Sequence, residues 1–105
     1  MKDHGLRVYA QLSGLTADGF DRLISGLDFE VAEFKAGEAE LEFEGVYFDA
    51  EAFSDEAAAL SPDVRGVLDV IDHSEWTFTR YRIGNGEWTS KTRKVDDSLD
   101  KYAFE

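Results

Sequence analysis

A chain of 105 residues, 43% of them hydrophobic and 13% aromatic, has the size of one folded domain and is too apolar for a disordered acidic tail. Eleven Lys and Arg against 23 Asp and Glu give a formal charge of -12, which repels phosphate backbones and anionic lipid and so argues against nucleic-acid and membrane-surface partners. With no cysteine and no apolar run of signal-peptide or membrane-spanning length, disulfides, thiolate metal sites and a cysteine nucleophile are excluded, and a soluble, cytoplasmic, single domain over residues 1–105 is expected.

Leu6, Val8, Ala10 and Leu12 alternate with Arg7, Tyr9 and Gln11, the period of a half-buried strand. Ser13-Gly14 ends it, and Thr16 or Asp18 can cap a helix in which Phe20, Leu23, Ile24 and Leu27 recur at helical spacing, with Gly26 as its stop. Residues 28–35 and Glu38–Phe48 read as two strands of a hairpin turning at Ala36-Gly37. Gly45 reads as a bulge, because Val46 and Phe48 follow Leu41 and Phe43 out of phase. Asp49–Leu60 predicts a second helix with Phe53, Ala57 and Leu60 on one face. Ser61-Pro62 breaks it, and Val64, Val67, Leu68 and Ile71 predict a further helical stretch. Trp76–Ile83 and Glu87–Val95 flank Gly84-Asn85-Gly86, whose Asn-Gly pair predicts a type I′ hairpin. Leu99, Tyr102 and Ala103 recur at helical spacing in residues 96–105, which predicts a short docked helix.

The first six of these elements resemble the βαββαβ pattern of ferredoxin-like domains. The resemblance implies an α+β fold: an antiparallel-rich sheet of strand order 4-1-3-2 with both helices on one face, extended by a C-terminal strand beyond residues 76–83 and by the short helix. Many unrelated functions share that topology, so it names none.

Strict alternation then puts Arg7, Tyr9, Gln11, Glu40, Glu42, Glu44, Phe78, Arg80 and Arg82 on the open face of the sheet, with Lys91 and Arg93 beside them. Charge is split along the chain. Residues 28–63 hold twelve acids and one base, whereas residues 76–94 hold five bases and one acid. The acids Glu38, Glu40, Glu42 and Glu44 are the candidate recognition strip for a basic protein surface; the plainer reading is a solvated face on which Arg7 pairs with Glu42 or Glu40. A second reading places a small-ligand or enzymatic pocket around Tyr9, Phe78, Arg80 and Arg82, where an anion would meet two guanidinium groups. A third is a structural homodimer in which the basic edge of one protomer meets the acidic edge of the other.

Trp76, Phe78, Arg80, Arg82, Lys91 and Arg93 interleave aromatic and basic side chains as RNA-binding sheets do, but Glu40, Glu42 and Glu44 occupy the strand where such a sheet needs bases. RNA is therefore not the expected ligand. Trp76 and Phe78 are expected to be covered by Leu99, Tyr102 and Phe104. Asp69, Asp72, His73 and Glu75 are the densest set of potential metal ligands, with no diagnostic spacing, at the end of an expected helix. No serine lies in a nucleophile elbow and no glycine-rich phosphate loop is present. No catalytic residue, metal or cofactor is assigned, and the expected function is a non-catalytic interaction or regulatory module.

Overall fold

The structure, a computed structural model, describes residues 5–94. Strand β1 (Leu6–Ser13) buries Val8, Ala10 and Leu12 and turns Tyr9 and Gln11 outward, as alternation requires. Helix α1 (Ala17–Ile24) starts at Thr16, whose hydroxyl accepts the Gly19 N–H at 3.0 Å, and buries Phe20 and Leu23. Strands β2 (Val31–Lys35) and β3 (Glu38–Gly45) join through Ala36-Gly37, both in the left-handed region with φ of 54° and 85°. That pair of dihedrals is the type I′ hairpin turn, and an alanine in it costs about 1 kcal/mol.

Helix α2 (Ala50–Leu60) is capped by Asp49, which accepts the Ala52 N–H at 3.0 Å. Three strands follow: β4 (Arg65–Asp72), β5 (Thr77–Gly84) and β6 (Glu87–Lys94). The β5–β6 turn carries Asn85 and Gly86 at φ 57° and 78°, the expected type I′ conformation.

The fold is α+β, with two helices and one six-stranded antiparallel sheet of order β2-β3-β1-β4-β5-β6 among the described residues. Buried residues of both helices (Phe20, Leu23, Phe53, Ala57) join Val8, Leu12, Leu41, Leu68 and Ile83 in one core. The register puts those sheet residues on a single face, so both helices cover that face, and no helix among the described residues covers the other. Phe29, Phe43, Phe48 and Phe53 close one end of the core, with ring centroids 5.1 to 6.3 Å apart.

Four expectations change. Residues 62–71 are not helical: they supply β4, and it is β4, not the segment 76–83, that flanks β1. The sheet order therefore differs from the expected one, and the β5–β6 hairpin lies outside β4. The cause is burial on both faces. Leu68 and Val70 face the helices while Val67 and Ile71 are half-buried on the open face, so the period of two is hidden and the apolar positions mimic a helix. Second, β3 pairs with β1 without interruption from Ala39 to Gly45, so Gly45 ends the strand and forms no bulge. Val46 and Tyr47 then lie in the connection to α2, both exposed. Third, β2 begins at Val31, not at residue 28. Fourth, Arg7 lies directly opposite Glu44, not Glu40 or Glu42. The helix expected over residues 96–105, with Leu99, Tyr102 and Phe104, lies outside the described residues.

Candidate functional site on the open sheet face

Antiparallel register fixes which side chains share the open face. One row across the sheet reads Val31, Glu42, Tyr9, Asp69, Arg80 and Lys91. The row on one side reads Glu33, Glu40, Gln11, Val67, Arg82 and Thr89, and the row on the other reads Glu44, Arg7, Ile71, Phe78 and Arg93. Glu38 belongs to the same face and lies opposite Lys35 at the hairpin turn. All four glutamates of the candidate strip are thus on one strand and one face, and so are Tyr9, Phe78, Arg80 and Arg82.

The two sets differ in how they are held. Arg7 Nη1 donates to Glu44 Oε1 at 2.8 Å, and its Nε donates to the Tyr9 hydroxyl at 3.0 Å, with the guanidinium carbon 5.5 Å from the Tyr9 ring centre. The Tyr9 hydroxyl, followed by the charges of Glu44 and Glu30, holds the Arg7 pKa above its usual value. Gln11 reaches Glu40 only at 3.5 Å. Glu33 stands directly opposite Glu40 across the β2·β3 pair, a like-charge juxtaposition that destabilises a sheet. Neither Glu33 nor Glu42 has an ion-pair partner among the described residues.

At the middle of the face Arg80 makes a two-pronged contact with Asp69: Nε to Oδ1 at 2.7 Å and Nη2 to Oδ2 at 2.8 Å. The side chains are 27% and 16% exposed, so water is partly excluded from this pair. Arg80 thus has two of its donors engaged by a carboxylate of its own sheet, and Arg82 stands one row away. Sequence reasoning missed Asp69 as a member of this face because residues 62–71 were expected to be helical. Reading Arg65, Val67, Asp69 and Ile71 as the odd positions of a strand would have found it.

The metal-ligand set does not assemble. Alternation along β4 sends Asp69 and Asp72 to opposite faces. Asp72 Oδ1 instead accepts the Ser74 and Glu75 N–H groups and the Ser74 hydroxyl at 2.9 to 3.1 Å. Burial pushes the Asp72 carboxyl up, but those bonds and the nearby His73 outweigh it and hold the carboxyl below its usual value. His73 Nδ1 lies 3.1 Å from the Gly5 carbonyl oxygen. Among the described residues no group of three or more His, Cys, Asp or Glu side chains is placed to hold a metal. Trp76, half exposed in the β4–β5 turn, meets His73 edge-on at 5.8 Å instead of joining Phe78 on the sheet.

A depression of about 640 Å³ lies beside the strip where β1 through β4 end, and its rim brings Glu33, Glu38 and Glu40 toward Lys35 and Arg65. No helix among the described residues is long and apolar enough to cross a membrane. Compared with protein-family models, with curated proteins and with solved structures, the chain matches none. The functional reading therefore rests on the face itself, which carries four glutamates on β3 and Arg80, Arg82, Lys91 and Arg93 on β5 and β6, with Arg7, Arg65 and Asp69 on the strands between.

Proposed function

We propose that this chain is a non-catalytic cytoplasmic interaction module that binds a basic protein surface through the glutamates of its β2–β3 hairpin. In this reading β1 to β4 with α1 and α2 are a ferredoxin-like βαββαβ core, and β5–β6 is a hairpin added at one edge. What supports that fold reading is the chain order of the six elements and the neighbours β2-β3-β1-β4.

The observation that carries the functional reading is the cross-strand pair Glu33 and Glu40, with Glu42 beside it and no base of the described residues paired to Glu33 or Glu42. Like charges placed opposite each other reduce sheet stability by a few tenths of a kcal/mol or more, and an arriving lysine or arginine relieves that repulsion. Each exposed pair with the partner contributes only about 0–1 kcal/mol, so the strip acts through number and through steering of the encounter.

Affinity capture tests this with three folded proteins: the wild type, Glu40→Lys/Glu42→Lys/Glu44→Lys, and Arg80→Ala/Arg82→Ala. A basic protein retained by the wild type and the arginine variant but lost by the lysine variant is the expected outcome. Loss from the arginine variant alone would transfer the function to an anion site around Arg80 and Arg82.

A further inference from the structure

Strand β2 lies at one edge of the sheet: it pairs with β3, and no strand among the described residues pairs with its other side. The two-residue turn at Ala36-Gly37 makes Lys35 and Glu38 a hydrogen-bonded pair, and alternation makes Glu33–Glu40 and Val31–Glu42 hydrogen-bonded pairs as well. The Glu30 N–H also donates to the Glu42 carbonyl at 2.8 Å, in keeping with that phase. Ala32 and Phe34 therefore direct their N–H and C=O groups away from β3, toward the outer edge, where they form a template for a further strand. Ala32 and Glu33 are exposed, and Phe34 is half-buried with its ring stacked on Phe20 at 5.1 Å. We infer that the basic partner of the acidic strip is an extended segment of another protein, which adds to the outer edge of β2 as a further antiparallel strand.

The pleat dictates what such a segment carries. Its residues opposite Ala32 and Phe34 turn their side chains to the helix side, where apolar groups extend the contact of Phe34 with Phe20, and the residues between turn theirs to the open face. On that face the position beside Glu33 is backed by Glu40 on the next strand, and the position beside Val31 is backed by Glu42. Neighbouring strands stand about 4.8 Å apart. A lysine or arginine beside Glu33 thus meets one carboxylate directly and extends its stem toward a second, and one beside Val31 passes over a short apolar side chain toward Glu42. A base beside Lys35 is repelled. The fitting segment therefore has two basic residues at alternate positions, apolar residues between them, and no base at the end next to the turn. Its bases relieve the Glu33–Glu40 juxtaposition, and its backbone fixes their register. A second copy of this chain is the poorer occupant: joining two β2 edges brings two acidic hairpins together, and residues 28–63 hold twelve acids against one base.

This inference rests on the reading of the glutamates as a recognition surface, and the experiment separates the two. The full chain is titrated, with nuclear magnetic resonance as the readout, with an end-blocked peptide reading serine, valine, lysine, valine, lysine, and with the same peptide N-methylated at both valines. Methylation removes the N–H groups that face β2 and leaves every charge in place. The parent peptide should bind with its largest shifts at the Ala32 and Phe34 amides, and the methylated one at least tenfold more weakly. Ala32→Pro removes an outward N–H at an edge position that tolerates proline, and should weaken the parent peptide at least tenfold, as should Glu33→Lys. If Ala32→Pro does not fold, the two peptides on the wild type decide. Equal binding of both peptides overturns the inference while the glutamates stand as a charged recognition face. A chain mass that grows with concentration in the wild type and not in Ala32→Pro assigns the edge to a second copy and also overturns it. So does binding of neither peptide. In that case a basic protein captured by the wild type and lost by Glu40→Lys/Glu42→Lys/Glu44→Lys keeps the interaction module, and failure of capture as well removes both.

Discussion

Ser54 is the residue at which the core departs from good practice. It lies on the face of α2 turned to the sheet, is fully buried, and its Oγ has no hydrogen-bond partner among the described residues. The other buried residues of α2 are Ala50, Phe53, Ala57 and Ala58, none of which carries a polar side chain that could meet the hydroxyl. A buried hydroxyl without a partner costs about 1–3 kcal/mol, while the methyl of alanine fits the same space with little loss of contact. Ser54→Ala should therefore raise stability by about 1 kcal/mol, seen as a higher urea midpoint with the slope unchanged. A lowered midpoint would mean that the hydroxyl is bonded in solution and that the helix sits differently on the sheet.

At the scale of elements, β4 decides the architecture and one glycine decides β4. Gly66 has φ of 152°, and a Cβ built there would stand 2.0 Å from the Gln11 carbonyl oxygen and 2.8 Å from the Leu12 Cα, both backbone atoms of β1. Gly84, also in the sheet, is different: a Cβ there would meet only the Arg65 Cβ at an ordinary 3.8 Å. Gly66→Ala should therefore cost about 2–4 kcal/mol through strain and forced separation of β1 from β4, whereas Gly84→Ala should change the melting temperature little. Equal losses from the two substitutions would show that β1 and β4 do not pair this closely. The same strand marks where the sequence stops being readable. β1, α1, the two hairpins and α2 announce themselves because each has one apolar side or a turn of distinctive chemistry, such as Thr16 at a cap or Asn85-Gly86 between strands. A central strand with Val67 and Ile71 on one face and Leu68 and Val70 on the other has no contrast to read, and its spacing imitates a helix. The site was legible in proportion. Alternation alone put the β3 glutamates and the β5 arginines on one face, but the Asp69–Arg80 contact depends on β4 and stayed hidden. Glu33 was recoverable: a two-residue turn at Ala36-Gly37 sets Lys35 opposite Glu38 and so Glu33 opposite Glu40.

For the whole molecule the dominant fact is a formal charge of -12, most of it concentrated in residues 28–63. Such a molecule repels itself when folded, and salt weakens that repulsion because the screening length falls from about 10 Å at 0.1 M to about 3 Å at 1 M. Salt also weakens attractive contacts, but the exposed Arg7–Glu44 pair belongs to a class contributing about 0–1 kcal/mol, and the uncompensated acids outnumber the bases. Tm should therefore rise steadily with added sodium chloride. A Tm that falls with salt would show that attraction between the acidic and basic groups of the chain outweighs the repulsion among its acids.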